Sequence, residues 1–108
     1  MDTVAAQGEV ALWRAVIHQA VADATLGVFT QGRGRRRTGA PSSDRLRHLS
    51  EARTWLLGMS RDFRTVCECA LLEPLAVKAA AVESIAAFDQ TYPHLTAFAN
   101  RAAEQAAA

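Results

Sequence analysis

The sequence predicts an all-α fold: a small domain of four to five helices containing a helix-turn-helix. Three observations carry that expectation. Alanine is abundant and no segment alternates apolar with polar residues, which favours helix over strand. Apolar residues recur at three- and four-residue spacing in several separate stretches. The stretch from Val66 to Val77, VCECALLEPLAV, has the residue sizes that two short helices need when they meet over a tight turn.

The first helix is expected from about Gln7 or Gly8 to Gly27. Trp13, Val16, Ile17, Ala20, Val21 and Ala24 fall on one face, while Arg14, His18, Gln19 and Asp23 lie mostly off it. From Thr30 to Ser43 the chain reads TQGRGRRRTGAPSS, with three glycines, a proline and four arginines. Nothing in it buries cheaply, so it predicts a flexible basic loop over 30–43. At about fourteen residues it is long for a connection inside a small domain, and such loops are usually functional or disordered.

A second helix starts at Ser43 or Asp44, either of which can cap it, buries Leu46, Leu49, Ala52 and Leu56, and stops at Gly58. A third opens at Ser60, with Asp62 placed for the helix dipole and Phe63, Val66, Cys67 and Ala70 turned inward. Pro74 fits the first position of a fourth helix, whose expected inner face is Val77, Ala81, Val82, Ile85 and Phe88. A weak last helix is expected from His94 to about Gln105, with a fraying alanine end. The whole chain, 1–108, is long enough for one domain and, at 50% apolar residues, can bury a core.

Within the corner, Cys67 is the small residue where the helices cross, Leu72 plugs the turn, and Val77 packs from the second helix. One position departs from the usual pattern. The first turn residue, commonly glycine because the chain there turns left-handed, is Leu71. An ordinary corner in a helical bundle has the same packing needs and no nucleic-acid role.

Charge points to a polyanion contacted locally. The formal net charge is only +1, yet seven arginines (33, 35, 36, 37, 45, 47 and 53) lie between Gly32 and Arg53 against Asp44 and Glu51. The expected DNA contacts are Arg33, Arg35, Arg36 and Arg37 of the loop, which could also enter a minor groove, with Arg61, Arg64 and Lys78 on phosphates. Leu75 and Ala76 occupy early exposed positions of the second corner helix, where bases are read, and alanine can touch a thymine methyl group. Those positions are poor in hydrogen-bonding groups, so backbone contacts should supply much of the affinity.

The remaining motifs exclude more than they suggest. Cys67 and Cys69 have no second pair at zinc spacing, and residues two apart on a helix face different ways, so neither a metal site nor a disulfide is expected. His18, His48 and His94 are scattered, without a nucleophile or carboxylate motif, so no enzyme and no cofactor is expected. The start lacks a basic region followed by an apolar core and no apolar run could span a bilayer, so a cytoplasmic protein with reduced thiols is expected.

Three blocks carry a resemblance. Leu12-Trp13-Arg14-Ala15-Val16-Ile17, with Gln19-Ala20 and Asp23-Ala24, precedes the variable loop; then come Glu51-Ala52-Arg53-Thr54-Trp55-Leu56, and Phe63-Arg64 followed by Val66-Cys67-Glu68 and Leu72-Glu73-Pro74. Over about residues 10 to 77 the chain resembles the DNA-binding part of the GafA/GafY-type activators of gene transfer agents, phage-derived regulators of alphaproteobacteria. The resemblance implies a helix-turn-helix transcription activator that binds double-stranded DNA and works with RNA polymerase or a companion transcription factor. Members of that group carry more basic residues after the proline, where this chain has Ala79, Ala80 and Ala81. Two other readings fit the same features: a small terminase-like packaging protein, and a helical protein-interaction module that does not bind DNA. A homodimer would match a two-fold DNA site.

Overall fold

A computed structural model describes residues 3–27 and 42–107. Among them are five helices and no strand: α1 (Thr3–Ala24), α2 (Ser43–Leu57), α3 (Arg61–Cys69), α4 (Pro74–Thr91) and α5 (Pro93–Ala107). The chain is therefore all-α. The first helix begins earlier than expected, at Thr3, and the last begins at Pro93. The loop expected over 30–43 lies outside the described residues except for Ser42 and Ser43, which cap and open α2.

Helix starts follow local chemistry. Ser42 accepts from the Arg45 amide at 3.2 Å, and Ser60 accepts from the Phe63 amide at 3.1 Å. Helix ends follow a left-handed rule that the sequence displays at Gly27, φ 74°, and hides at three other residues. Leu26, Met59 and Leu71 take left-handed φ values of 53°, 53° and 56° at the ends of α1, α2 and α3. Gly58 is αR, so it is not there for a positive φ. A Cβ at Gly58 would lie 2.8 Å from the Thr54 carbonyl oxygen, which makes close approach the reason for glycine.

Two apolar clusters hold the helices. The larger joins Ile17 and Ala24 of α1, Leu56 of α2, Phe63, Val66 and Cys67 of α3, Ala70 after it, and Ala81 of α4. Trp13 and Trp55 pack against its edge, and the Trp55 ring meets Phe63 edge-on at 5.1 Å between centroids. The smaller gathers Leu26, Leu46, Leu49, Phe88 and Ala99, with Tyr92, Leu95 and Phe98 around it. Two residues of the expected apolar stripes face out instead: Val16 is 39% exposed and Val82 is 47% exposed. Each lies at the margin of its helical stripe, where one step of about 100° carries a side chain from core to solvent.

Candidate nucleic-acid interface

The corner between α3 and α4 is built from the residues upward. Phe63, Val66, Cys67 and Ala70 put the inner side of α3 in the core. At its C-terminus the Leu72 amide donates to the Cys67 carbonyl at 2.9 Å and the Leu71 amide to Glu68 at 3.0 Å. This paired closure satisfies carbonyls that the helix itself leaves open. It requires Leu71 to turn left-handed, and the leucine side chain projects outward, 71% exposed. Glu73 then caps α4, its carboxylate accepting from the Leu75 amide at 3.4 Å, and Pro74 supplies the first helical residue.

Two long-range bonds fix the corner on its neighbours. Arg14 of α1 donates its Nε to the Ala70 carbonyl at 2.9 Å, covering the end of α3. Trp55 of α2 donates its Nε1 to Asp62 in the first turn of α3 at 2.8 Å. Arg14 had no such part in the sequence expectation. Its acceptor is a main-chain carbonyl, which leaves no mark in the sequence.

The outer side of α4 is apolar and nearly featureless. Leu75, Ala76, Ala79, Ala80, Val82, Ala86 and Ala87 are exposed, with Glu83 the charged residue among them. Val77 and Ile85 are half-buried, and Ala81 and Phe88 are buried. Of the expected contact residues, Arg61, Arg64, Leu75 and Ala76 are exposed, while Lys78 is half-buried. Arg61 and Arg64 are three apart on α3 and share one side of it. From residue 61 to 83 the cations are Arg61, Arg64 and Lys78, and the carboxylates are Asp62, Glu68, Glu73 and Glu83. The corner taken alone is therefore not basic.

Much of the remaining charge lies elsewhere or is engaged. Arg33, Arg35, Arg36 and Arg37 fall outside the described residues. Arg45 donates to the Leu26 carbonyl. Arg53 donates its Nε to the Ala24 carbonyl at 3.0 Å and a terminal nitrogen to Asp89 at 3.0 Å. Arg47 pairs with Asp44 at 3.5 Å on the surface. The seven arginines therefore do not form one basic stretch, because Arg45 and Arg53 close the end of α1.

Both cysteines are free thiols; Cys67 is buried and Cys69 exposed. Burial, with the Glu73 carboxylate nearby, pushes the Cys67 thiol above its ordinary pKa and keeps it protonated and inert. No three His, Cys, Asp or Glu side chains among the described residues gather closely enough to hold a metal ion. No described helix is long and apolar enough to cross a membrane. No family model, curated protein or solved structure matches the chain.

Proposed function

We propose that this protein is a DNA-binding regulator of phage descent that contacts duplex DNA through the α3–α4 corner and its basic segment. The observation that carries the reading is the corner itself. A nine-residue helix, a turn closed through Leu71 and a proline-led second helix leave the first turns of α4 open to solvent, with Arg61 and Arg64 exposed on α3. In this reading Arg61, Arg64, Lys78 and Arg33, Arg35, Arg36 and Arg37 hold phosphates, and Leu75 and Ala76 face base edges. Base recognition is then weak, and selectivity for a promoter comes from a companion transcription factor or from RNA polymerase. This agrees with the resemblance to the GafA/GafY-type activators.

Binding of a labelled duplex, followed from roughly 50 to 200 mM salt, tests the reading. Affinity should fall steeply with salt, and Arg61→Ala with Arg64→Ala should flatten the log–log slope by about 0.9 for each phosphate no longer neutralised. Replacing the arginines at 33, 35, 36 and 37 by glutamine should weaken binding to every sequence alike. Absence of binding at the lowest salt would remove the proposal. One observation favours a protein-interaction module instead: Leu71, Leu75 and Val82 are 71%, 63% and 47% exposed around the same helix.

A further inference from the structure

The open side of α4 has the spacing of a helix-pairing seam. Leu75, Ala79, Val82 and Ala86 are all exposed and follow one another at four, three and four residues. That is the alternation of d and a positions in a heptad repeat, kept over three turns. The seam ends where the next d position falls on Asp89, which is engaged by Arg53 and by Thr96 at 2.8 Å. At its other end the seam starts with the helix, since α4 opens at Pro74 and Leu72 before it packs against the molecule's own core.

The charges beside the seam specify the occupant. With Leu75 at d, Lys78 takes a g position and Glu83 the e position of the next heptad, on opposite sides of the seam. Neither has an ion-pair partner among the described residues. When two copies of one helix pack in parallel, g of one lies beside e of the other five residues on. Lys78 of one copy then meets Glu83 of the other, twice, by symmetry. The adjoining g-to-e pair within the helix, Ile85 with Gln90, carries no charge and adds no repulsion. An antiparallel pair of the same seam would set Lys78 opposite Ile85 and Glu83 opposite Ala76, with no ion pair.

We infer that α4 pairs in parallel with α4 of a second copy of this chain, through Leu75, Ala79, Val82 and Ala86, with reciprocal Lys78–Glu83 ion pairs. The inference stands whether or not the corner contacts DNA. If both hold, the two uses compete for Leu75 and Lys78, and pairing regulates access to the duplex. The seam is short and rich in alanine, so the association is weak and reversible.

Sedimentation equilibrium of the full chain under reducing conditions, from roughly 10 µM to 1 mM, tests it in the range expected of small interfaces. The mass should rise with concentration from 11.6 kDa toward twice that value. Lys78→Glu and Glu83→Lys should each weaken association roughly tenfold, because two favourable pairs become two repulsive ones. The doubly exchanged variant should recover it. A monomer throughout the range overturns the inference, and so does a double variant no better than the singles. Orientation has its own readout in a Cys69→Ser background. On oxidation, Ala86→Cys at the end of the seam should cross-link two chains, because a parallel pair sets it beside its own copy and an antiparallel pair sets it beside Leu75, whereas Ala87→Cys, off the seam, should not. Failure of Ala86→Cys to cross-link, or equal cross-linking at both sites, overturns the parallel pairing.

Discussion

The two apolar clusters are held together by different means. The larger one, between α1, α2, α3 and the first half of α4, is a packed interior of aliphatic and aromatic side chains, and its polar bonds from Arg14 and Trp55 lie at the rim. The smaller one, between the end of α1, the start of α2, the end of α4 and α5, is tied by arginines. Arg45 reaches from α2 to the Leu26 carbonyl in the turn after α1 and Arg53 to the Ala24 carbonyl at its end, and Arg53 also joins Asp89, which takes the Thr96 hydroxyl. The Arg53 guanidinium lies 5.6 Å from the centre of the Phe88 ring. One cluster therefore depends on volume, the other on a few directional bonds to backbone.

The difference sets the order of expected damage. Phe63 has no solvent exposure and packs inside the larger cluster, with the Trp55 ring against it from the edge. Phe63→Ala should cost about 3–5 kcal/mol, a large part of the roughly 5–15 kcal/mol that holds a domain of this kind together. Urea denaturation read by circular dichroism measures it. A loss below about 1.5 kcal/mol would mean that Phe63 does not anchor a close-packed interior.

Arg53→Ala comes next. It leaves the Ala24 carbonyl and Asp89 each short of a partner, and the cost should be about 2–3 kcal/mol. The Arg53–Asp89 pair itself is partly open to water, so its share is small. A double-mutant cycle with Asp89→Ala should give a coupling near 1 kcal/mol. Simple additivity of the two substitutions would show that the ion pair contributes nothing and that the effect of Arg53 comes from its bond to the Ala24 carbonyl.

The same difference decides what could be read from the sequence. Apolar periodicity located Ile17, Ala24, Leu56, Phe63, Val66, Cys67 and Ala81, because burial of a helical face is written in residue type at fixed spacing. Ser60 and Pro74 marked helix starts for equally local reasons, whereas the cap of α2 falls on Ser42, one residue before the expected Ser43 or Asp44. Arg14, Arg45 and Arg53 were not legible in their actual roles. A carbonyl accepts equally well in any residue, so the sequence shows the donor and hides the acceptor. Arg45 and Arg53 instead counted toward a basic stretch. The candidate interface divides in the same way. Cys67, Leu72 and Val77 were legible as corner packing, whereas the exposure of Val82 at the edge of its stripe required the packed structure.

Two leucines with nearly the same backbone sharpen the comparison at the lowest energies. Leu26 ends α1 at φ 53° and is buried in the smaller cluster; Leu71 ends α3 at φ 56° and is mostly exposed. Both hold the left-handed conformation that disfavours a side chain by about 1–2 kcal/mol. Leu71→Gly removes that strain and forfeits little burial, while glycine adds entropy to the unfolded chain. The net should be a stabilisation of up to about 1 kcal/mol. Leu26→Gly relieves the same strain but forfeits a buried leucine worth roughly 2 kcal/mol, so it should destabilise by about 1 kcal/mol. Thermal melts of the two variants side by side would separate backbone from packing. Opposite signs support a strained, solvent-facing turn at the corner and a packed one at the end of α1. If both variants gain stability, the burial of Leu26 does not outweigh its backbone strain, and the end of α1 is held by Arg45 and Arg53.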